Sequence, residues 1–148
     1  MRALLQRVTR AEVRVGERSV GSIGAGLLVL LGVGHDDDAA TADALARRIC
    51  ELRIFEDADG RTNRSLLDVG GEALVVSQFT LYADTRRGRR PGFTDAAAPG
   101  VAVELWRRVA AGIEALGVRT ALGEFGAEMA VELVNDGPFT IWLDTADR

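Results

Sequence analysis

Three short polar segments hold the residues whose types could do chemistry. In "ALVVSQFTLYA", residues 73–83, Ser77, Gln78 and Thr80 interrupt an otherwise apolar run. Hydroxyl and amide groups at the end of a buried strand must find partners, and either ordinary backbone-directed bonds or a bound ligand can supply them. Directly after it, "DTRRGRRPGF" sets Arg86, Arg87, Arg89 and Arg90 within five residues of a chain whose net charge is −4. A guanidinium cluster beside a polar pocket suits a phosphate-bearing ligand, while an arginine run can also be plain solvated surface. The third segment is "VNDGPFTIWLD", residues 134–144. Asp136-Gly137 would make a good two-residue hairpin turn between "AVELV" and "FTIWL". Pro138 then falls where the returning strand should donate its first ladder hydrogen bond, which an ordinary hairpin would not tolerate.

The other reactive side chains lead away from the common hydrolase and metal chemistries. His35 is the one histidine, with no second histidine or cysteine at ligand spacing, so it reads as a solvated loop residue before a helix and no metal site is expected. "DADG", residues 57–60, lacks the later acidic positions and closing glutamate of a calcium loop and reads as a turn. No G-x-S-x-G elbow, Walker loop or dinucleotide fingerprint occurs. Cys50, the one cysteine, falls on the apolar side of an expected helix and reads as a reduced core thiol. All 18 basic residues are arginine, so any single arginine carries little weight, and the net negative charge argues against a protein that coats nucleic acid through bulk electrostatics. The longest apolar run, "AGLLVLLGV" at residues 25–33, is too short to span a membrane, and no leader pattern opens the chain. The expectation is a cytoplasmic protein with no membrane contact and no cofactor.

A β-rich frame must position these segments. "RALLQRVTRAEVRV" alternates into a strand pair, with "VGERSVG" as a turn, and "SIGAGLLVLLGV" is a continuous apolar run of the kind found in a strand buried on both faces. Capping aspartates followed by Leu45, Ile49 and Leu52 predict one helix. Leu105, Val109, Ile113 and Leu116, between Pro99 and Gly117, predict a second. The stretch from Glu56 to Glu72 reads as a polar loop and "ALVVSQFTLYA" as one buried strand, with further strands near 118–122, 127–134 and in "FTIWL". The order βββαβαβββ, with hairpins at both ends, predicts an α+β fold. It would be a single compact domain over residues 1–148, with a mostly antiparallel, barrel-like sheet and two main helices. A chain of 148 residues with 47% apolar content can bury such a core unaided.

Taken in order, "SQFTLYAD", "RRGRRPGF", "FGAEM" and "NDGPFT" resemble the D-aminoacyl-tRNA deacylase family, and the resemblance runs from "MRALLQRV" through "LRIFED" to the last strand. Departures are local: Gly92 stands where the family usually has serine, Arg61-Thr62 where it has a lysine-methionine pair, and Phe139 where it often has valine. The resemblance implies a hydrolase that removes D-amino acids, and glycine, from tRNA. Ser77, Gln78, Phe79 and Thr80 would build the catalytic pocket for the terminal adenosine and the ester, with Met129 and Phe125 lining it. Asn135, Gly137 and Pro138 would form a Gly-cisPro element braced by Arg7 and inserted into the active site of a homodimeric partner. Its carbonyls would occupy the space an L side chain needs, which is selection by exclusion. Thr80 has no base beside it in this inventory, so the implied chemistry is attack of water assisted by the terminal 2′-hydroxyl, with backbone N–H groups near Phe79 and Thr80 on the oxyanion. Arg86, Arg87, Arg89 and Arg90 would meet the tRNA. Two rivals stand beside this reading: an RNA-binding module without catalysis, and a related deacylase with a trans Gly-Pro bond that edits L-alanine.

Overall fold

Ala3, Leu5 and Arg7 are buried while Arg2, Leu4 and Gln6 are half-buried, the period of a strand with one face covered. A computed structural model describes residues 1–147, and in it this stretch is a single long strand, β1 (Arg2–Val15). A tight turn at Gly16, with φ at 61°, returns the chain as β2 (Arg18–Ile23), and a second turn at Gly24 and Ala25 leads into β3 (Gly26–Gly32). The apolar run read as one strand is therefore divided between two. Within β3, Leu27, Val29 and Leu31 face one core and Leu28 the other, so its continuous hydrophobicity reflects burial on both sides.

Helix α1 (Ala39–Glu51) is capped by Asp38, whose carboxylate accepts the Thr41 N–H at 2.8 Å. The polar stretch after it is not all loop. It holds a short hairpin, β4 (Phe55–Glu56) with β5 (Thr62–Arg64), and one helical turn, α2 (Leu66–Val69), closed by a reciprocal capping box between Ser65 and Asp68. Then come β6 (Glu72–Ser77), a 3-10 turn (Phe79–Tyr82), α3 (Pro99–Ala115), β7 (Thr120–Leu122) and β8 (Ala130–Asp144).

The main sheet runs β2-β1-β3-β6-β7, with β8 on the other edge of β1. Strands β2, β3 and β8 are antiparallel to β1, whereas β3, β6 and β7 are mutually parallel. Parallel neighbours need crossovers, and α1 and α3 lie on those two connections. Both helices cover one face of the sheet, where Leu45, Ile49, Val109 and Ile113 share a core with Leu5 and Val75. Val8, Val13, Ile23, Leu74 and Val76 fill the other side. A Cβ on Gly21 of β2 would lie 2.4 Å from the Leu122 carbonyl oxygen of β7, so the two ends of the sheet approach to backbone contact and it is nearly closed.

Two expectations are corrected here. The strand through "ALVVSQFTLYA" ends at Ser77, because its partner β3 ends one residue beyond the last pair, Leu31 with Ser77. With no neighbour to continue the ladder, the chain turns after Gln78. At the C-terminal end there is no hairpin. Residues on both sides of Gly137-Pro138 pair with the same strand, Val134 with Arg10 and Ile141 with Leu5. Between Gln6–Thr140 and Val8–Asn135, residue 7 of β1 faces residues 136–139 of β8. Pro138 sits in that bulge, where no ladder donor is required.

Candidate active site

The C-terminal ends of the parallel pair β3 and β6 open into a cleft of about 690 Å³. Leu31 and Val33 line one wall, Ala98, Pro99 and Ala102 at the start of α3 another, and Phe125, Met129 and Val131 a third. A crevice beyond the carboxyl ends of parallel strands is a recurrent place for ligands. Ser77, the last residue of β6, and Gln78, where the chain turns, supply its polar side chains. The Gln78 N–H is tied to the Leu31 carbonyl at 2.8 Å, and its carboxamide donates to the Thr80 hydroxyl.

Phe79 is 56% exposed at the cleft mouth and meets Phe93 edge to face, with ring centroids 5.0 Å apart. On the opposite wall Phe125 packs on buried Trp106 at 5.8 Å, and the Met129 sulfur accepts the Glu124 N–H. Five of the residues singled out from sequence thus converge: Ser77, Gln78, Phe79, Phe125 and Met129. Thr80 is exposed, accepts from the Gln78 carboxamide and is not part of the cleft wall. Phe93 is a wall residue that sequence reasoning missed. Its signal was its position directly after the arginine segment, which brings the loop back to Phe79.

Arg7, Asn135, Gly137 and Pro138 form a separate cluster at the β1–β8 bulge, and none of them lines the cleft of its own protomer. The Gly137-Pro138 peptide bond is cis, and both residues are exposed. Arg7 is 7% exposed; its guanidinium donates to the Ile54 carbonyl at 2.8 Å and the Asp136 carbonyl at 3.2 Å and lies 4.8 Å from the Phe139 ring centroid. The Asn135 carboxamide donates to the carbonyls of Arg7 and Phe139 at 2.9 and 3.0 Å, closing the neck of the bulge. Gly137 has φ at 117°, a conformation that calls for glycine, and a Cβ there would press on the Arg7 guanidinium at 2.7 Å.

The arginine segment is an exposed loop whose base is bridged by Asp84 and Gly92 through a reciprocal pair of backbone hydrogen bonds, 2.7 and 2.9 Å. Arg86 folds back onto Asp84 with two guanidinium bonds of 2.8 Å. Those bonds, and the Arg86 backbone N–H, hold the Asp84 carboxyl well below the ordinary carboxylate range. Arg87, Arg89 and Arg90 point into solvent without an ion-pair partner among the described residues.

The remaining histidine and the cysteine are both engaged or buried. His35 Nε2 is engaged with the Thr94 carbonyl. Cys50 is fully buried, which pushes its thiol up to about 11. Among the described residues no group of three or more His, Cys, Asp or Glu side chains converges as a metal site, and no helix is long and apolar enough to cross a membrane.

A nearly closed mixed sheet, two crossover helices and an apolar-walled cleft beside a polar turn define an α+β protein with a ligand-sized crevice at the ends of parallel strands. Residues 4–144 match the family model described as D-Tyr-tRNA(Tyr) deacylase. The chain is 61% identical over 146 residues to a D-aminoacyl-tRNA deacylase of Roseiflexus sp. (strain RS-1), covering 99% of this chain and 94% of that protein. It is 60% identical to one from Thermomicrobium roseum, covering 99% and 96%. Among solved structures it is similar to the c-Myc DNA Unwinding Element Binding Protein, with TM-score 0.91, 38% identity and coverage of 97% and 98%. A probable eukaryotic D-amino acid tRNA deacylase shares the fold at TM-score 0.81 and 18% identity, over 96% and 97% of the two chains. The chain belongs to the D-aminoacyl-tRNA deacylase family.

Proposed function

We propose that this protein, a hydrolase of carboxylic esters that deacylates D-aminoacyl-tRNA, leaves the bond-breaking chemistry largely to its RNA substrate. It also removes glycine mischarged on tRNA, and it works in the cytoplasm as a homodimer. Family membership supports the activity. The observation that carries the finer reading is the cleft wall: its polar side chains are Ser77 and Gln78, and among the described residues no imidazole, carboxylate or amine stands on it to activate a nucleophile. The terminal adenosine and the aminoacyl ester occupy the cleft, between Phe79 and the Phe125–Met129 wall. The free 2′-hydroxyl of the terminal ribose assists attack of water on the ester, and the backbone N–H groups of Phe79 and Thr80, at the start of the 3-10 turn, receive the oxyanion.

Stereochemical selection comes from the partner subunit. Gly137 and Pro138 are exposed on the bulge and absent from their own cleft, which fits a role in a second copy. Exposed Val134 and Trp142, on the same strand, offer apolar surface for a two-fold contact. With the α-carbon held by its amino group and ester carbonyl, the intruding main-chain carbonyls take the position of an L side chain. A D side chain projects the other way, and glycine has none to reject.

Single-turnover deacylation of D-tyrosyl-tRNA tests this, with L-tyrosyl-tRNA as the resistant control. Replacing the terminal 2′-hydroxyl by hydrogen, with the amino acid on the 3′ position, should slow the step on the order of 100-fold or more. Thr80→Val, which loses one hydrogen bond on the order of 1 kcal/mol, should slow it by tenfold or less. Full turnover of the deoxy substrate beside a dead Thr80→Val enzyme would show that a side-chain nucleophile had been missed. A protein that binds tRNA and hydrolyses neither ester would be the RNA-binding module instead, and an active monomer in light scattering would remove the cross-subunit filter.

A further inference from the structure

The four arginines of the loop are not equivalent. Arg86 is held by Asp84 through three hydrogen bonds, from its Nε and Nη2 and from its backbone N–H, the last at 3.0 Å. A bidentate guanidinium–carboxylate pair fixes orientation as well as distance. The same Asp84 makes the backbone bridge to Gly92 that closes the loop. Gly88, at φ 70°, turns the tip, and Phe93, one residue past the bridge, seats the loop's returning end against Phe79 at the cleft mouth. The loop is thus anchored at its base and aimed from the cleft.

We propose that Asp84 is a positioning residue that withdraws Arg86 from RNA contact and uses it as a strut, so that Arg87, Arg89 and Arg90 are presented as a fixed set to the phosphates of the tRNA acceptor end. The inference rests on the reading of the loop as the tRNA-binding element. Its sign runs against plain electrostatics. An aspartate beside a polyanion repels it, so neutralising Asp84 and freeing Arg86 should tighten binding if charge alone mattered. If Asp84 aims the loop, the same change weakens binding although the protein becomes more positive.

The test is binding of deacylated tRNA over a series of potassium chloride concentrations, together with steady-state deacylation of D-tyrosyl-tRNA. Asp84→Asn should weaken tRNA binding and raise KM about tenfold while kcat holds, the split of a residue that orients a binding element. Arg86→Ala should leave the salt slope of the binding constant unchanged. The combined Arg87→Ala, Arg89→Ala and Arg90→Ala variant should flatten that slope by roughly 2 to 3, near one counterion per lost phosphate contact. Circular dichroism melting of Asp84→Asn should match the parent, because the loop is exposed. Tighter or unchanged binding by Asp84→Asn, with the triple variant flattened, would overturn the positioning role alone. An unchanged slope in the triple variant would overturn the tRNA-binding reading of the loop and the inference with it.

Discussion

Arg7 shows how much one buried side chain can organise. It sits opposite a four-residue bulge and ties two distant parts of the chain together: Ile54 after α1, and the bulge itself through the Asp136 carbonyl and the Phe139 ring. Its planar fork suits this, since one guanidinium can donate in two directions while its face meets an aromatic ring. Arg7→Ala would leave the carbonyls of Ile54 and Asp136 without their donor, at about 1 to 3 kcal/mol for each that stays buried. It should also loosen the bulge, so that hydrolysis of L-tyrosyl-tRNA rises relative to D-tyrosyl-tRNA. Arg7→Lys should recover little of either property. Denaturant unfolding and the ratio of D to L single-turnover rates read the two effects, and unaltered selectivity in a destabilised Arg7→Ala protein would limit Arg7 to a structural part.

At the scale of elements, the contact between α1 and α3 depends on a small residue. A Cβ on Gly112 would lie 2.9 Å from that of Ala46, closer than two such carbons approach. Gly112→Ala therefore sets a gain of about 1 kcal/mol in helix propensity against overpacking of about 1 to 3 kcal/mol, and the packing loss should win. Urea unfolding should show a less stable protein, with Ala46→Gly relieving part of the damage in a double-mutant cycle; a stabilised Gly112→Ala would refute the contact. Elements whose causes are local were legible in the sequence. Both long helices follow from apolar spacing, with the Asp38 cap before α1 and Pro99 at the first position of α3, and five of the cleft residues from the motifs. Elements whose causes lie elsewhere in the chain were not. "SQFTLY" alternates like a strand, and only the end of β3 explains why the ladder stops at Ser77. "NDGP" has the composition of a hairpin, and only the length of β1 explains why β8 continues through it. The turn α2 was hidden in polar sequence because its capping box uses Asp68 in place of the usual glutamate.

For the whole molecule, the ionisable groups define a stability plateau. Glu72 is held below its ordinary value by the Gly24 N–H and Arg119, and Asp68 by the Ser65 N–H and hydroxyl. Carboxylates of this kind contribute stability above about pH 4, lost as pH falls through their folded values. Cys50 acts at the other end. Burial keeps its thiol neutral up to about 11, whereas the unfolded chain ionises near 8.5. Stability therefore falls as pH rises between these values. Cys50→Ala should remove part of that alkaline decline while leaving the acid one, as thermal melting between about pH 2 and 10 can check. The uncharged cleft also bears on turnover. In the proposed reading, hydrolysis in this cleft turns an uncharged ester carbonyl into a carboxylate, and among the described residues no arginine lines the wall to receive the new anion. A carboxylate whose only partner is the amino acid's own ammonium is poorly solvated against apolar walls, so the proposed site would hold its product weakly. Free D-tyrosine at about 1 mM should then leave the deacylation rate unchanged, a concentration at which even a 4 kcal/mol interaction would half-fill the site. Clear product inhibition would mean that a cation reaches the cleft from the partner or the RNA. Otherwise product release and the proposed substrate-assisted chemistry share one cause, a cleft wall without charge.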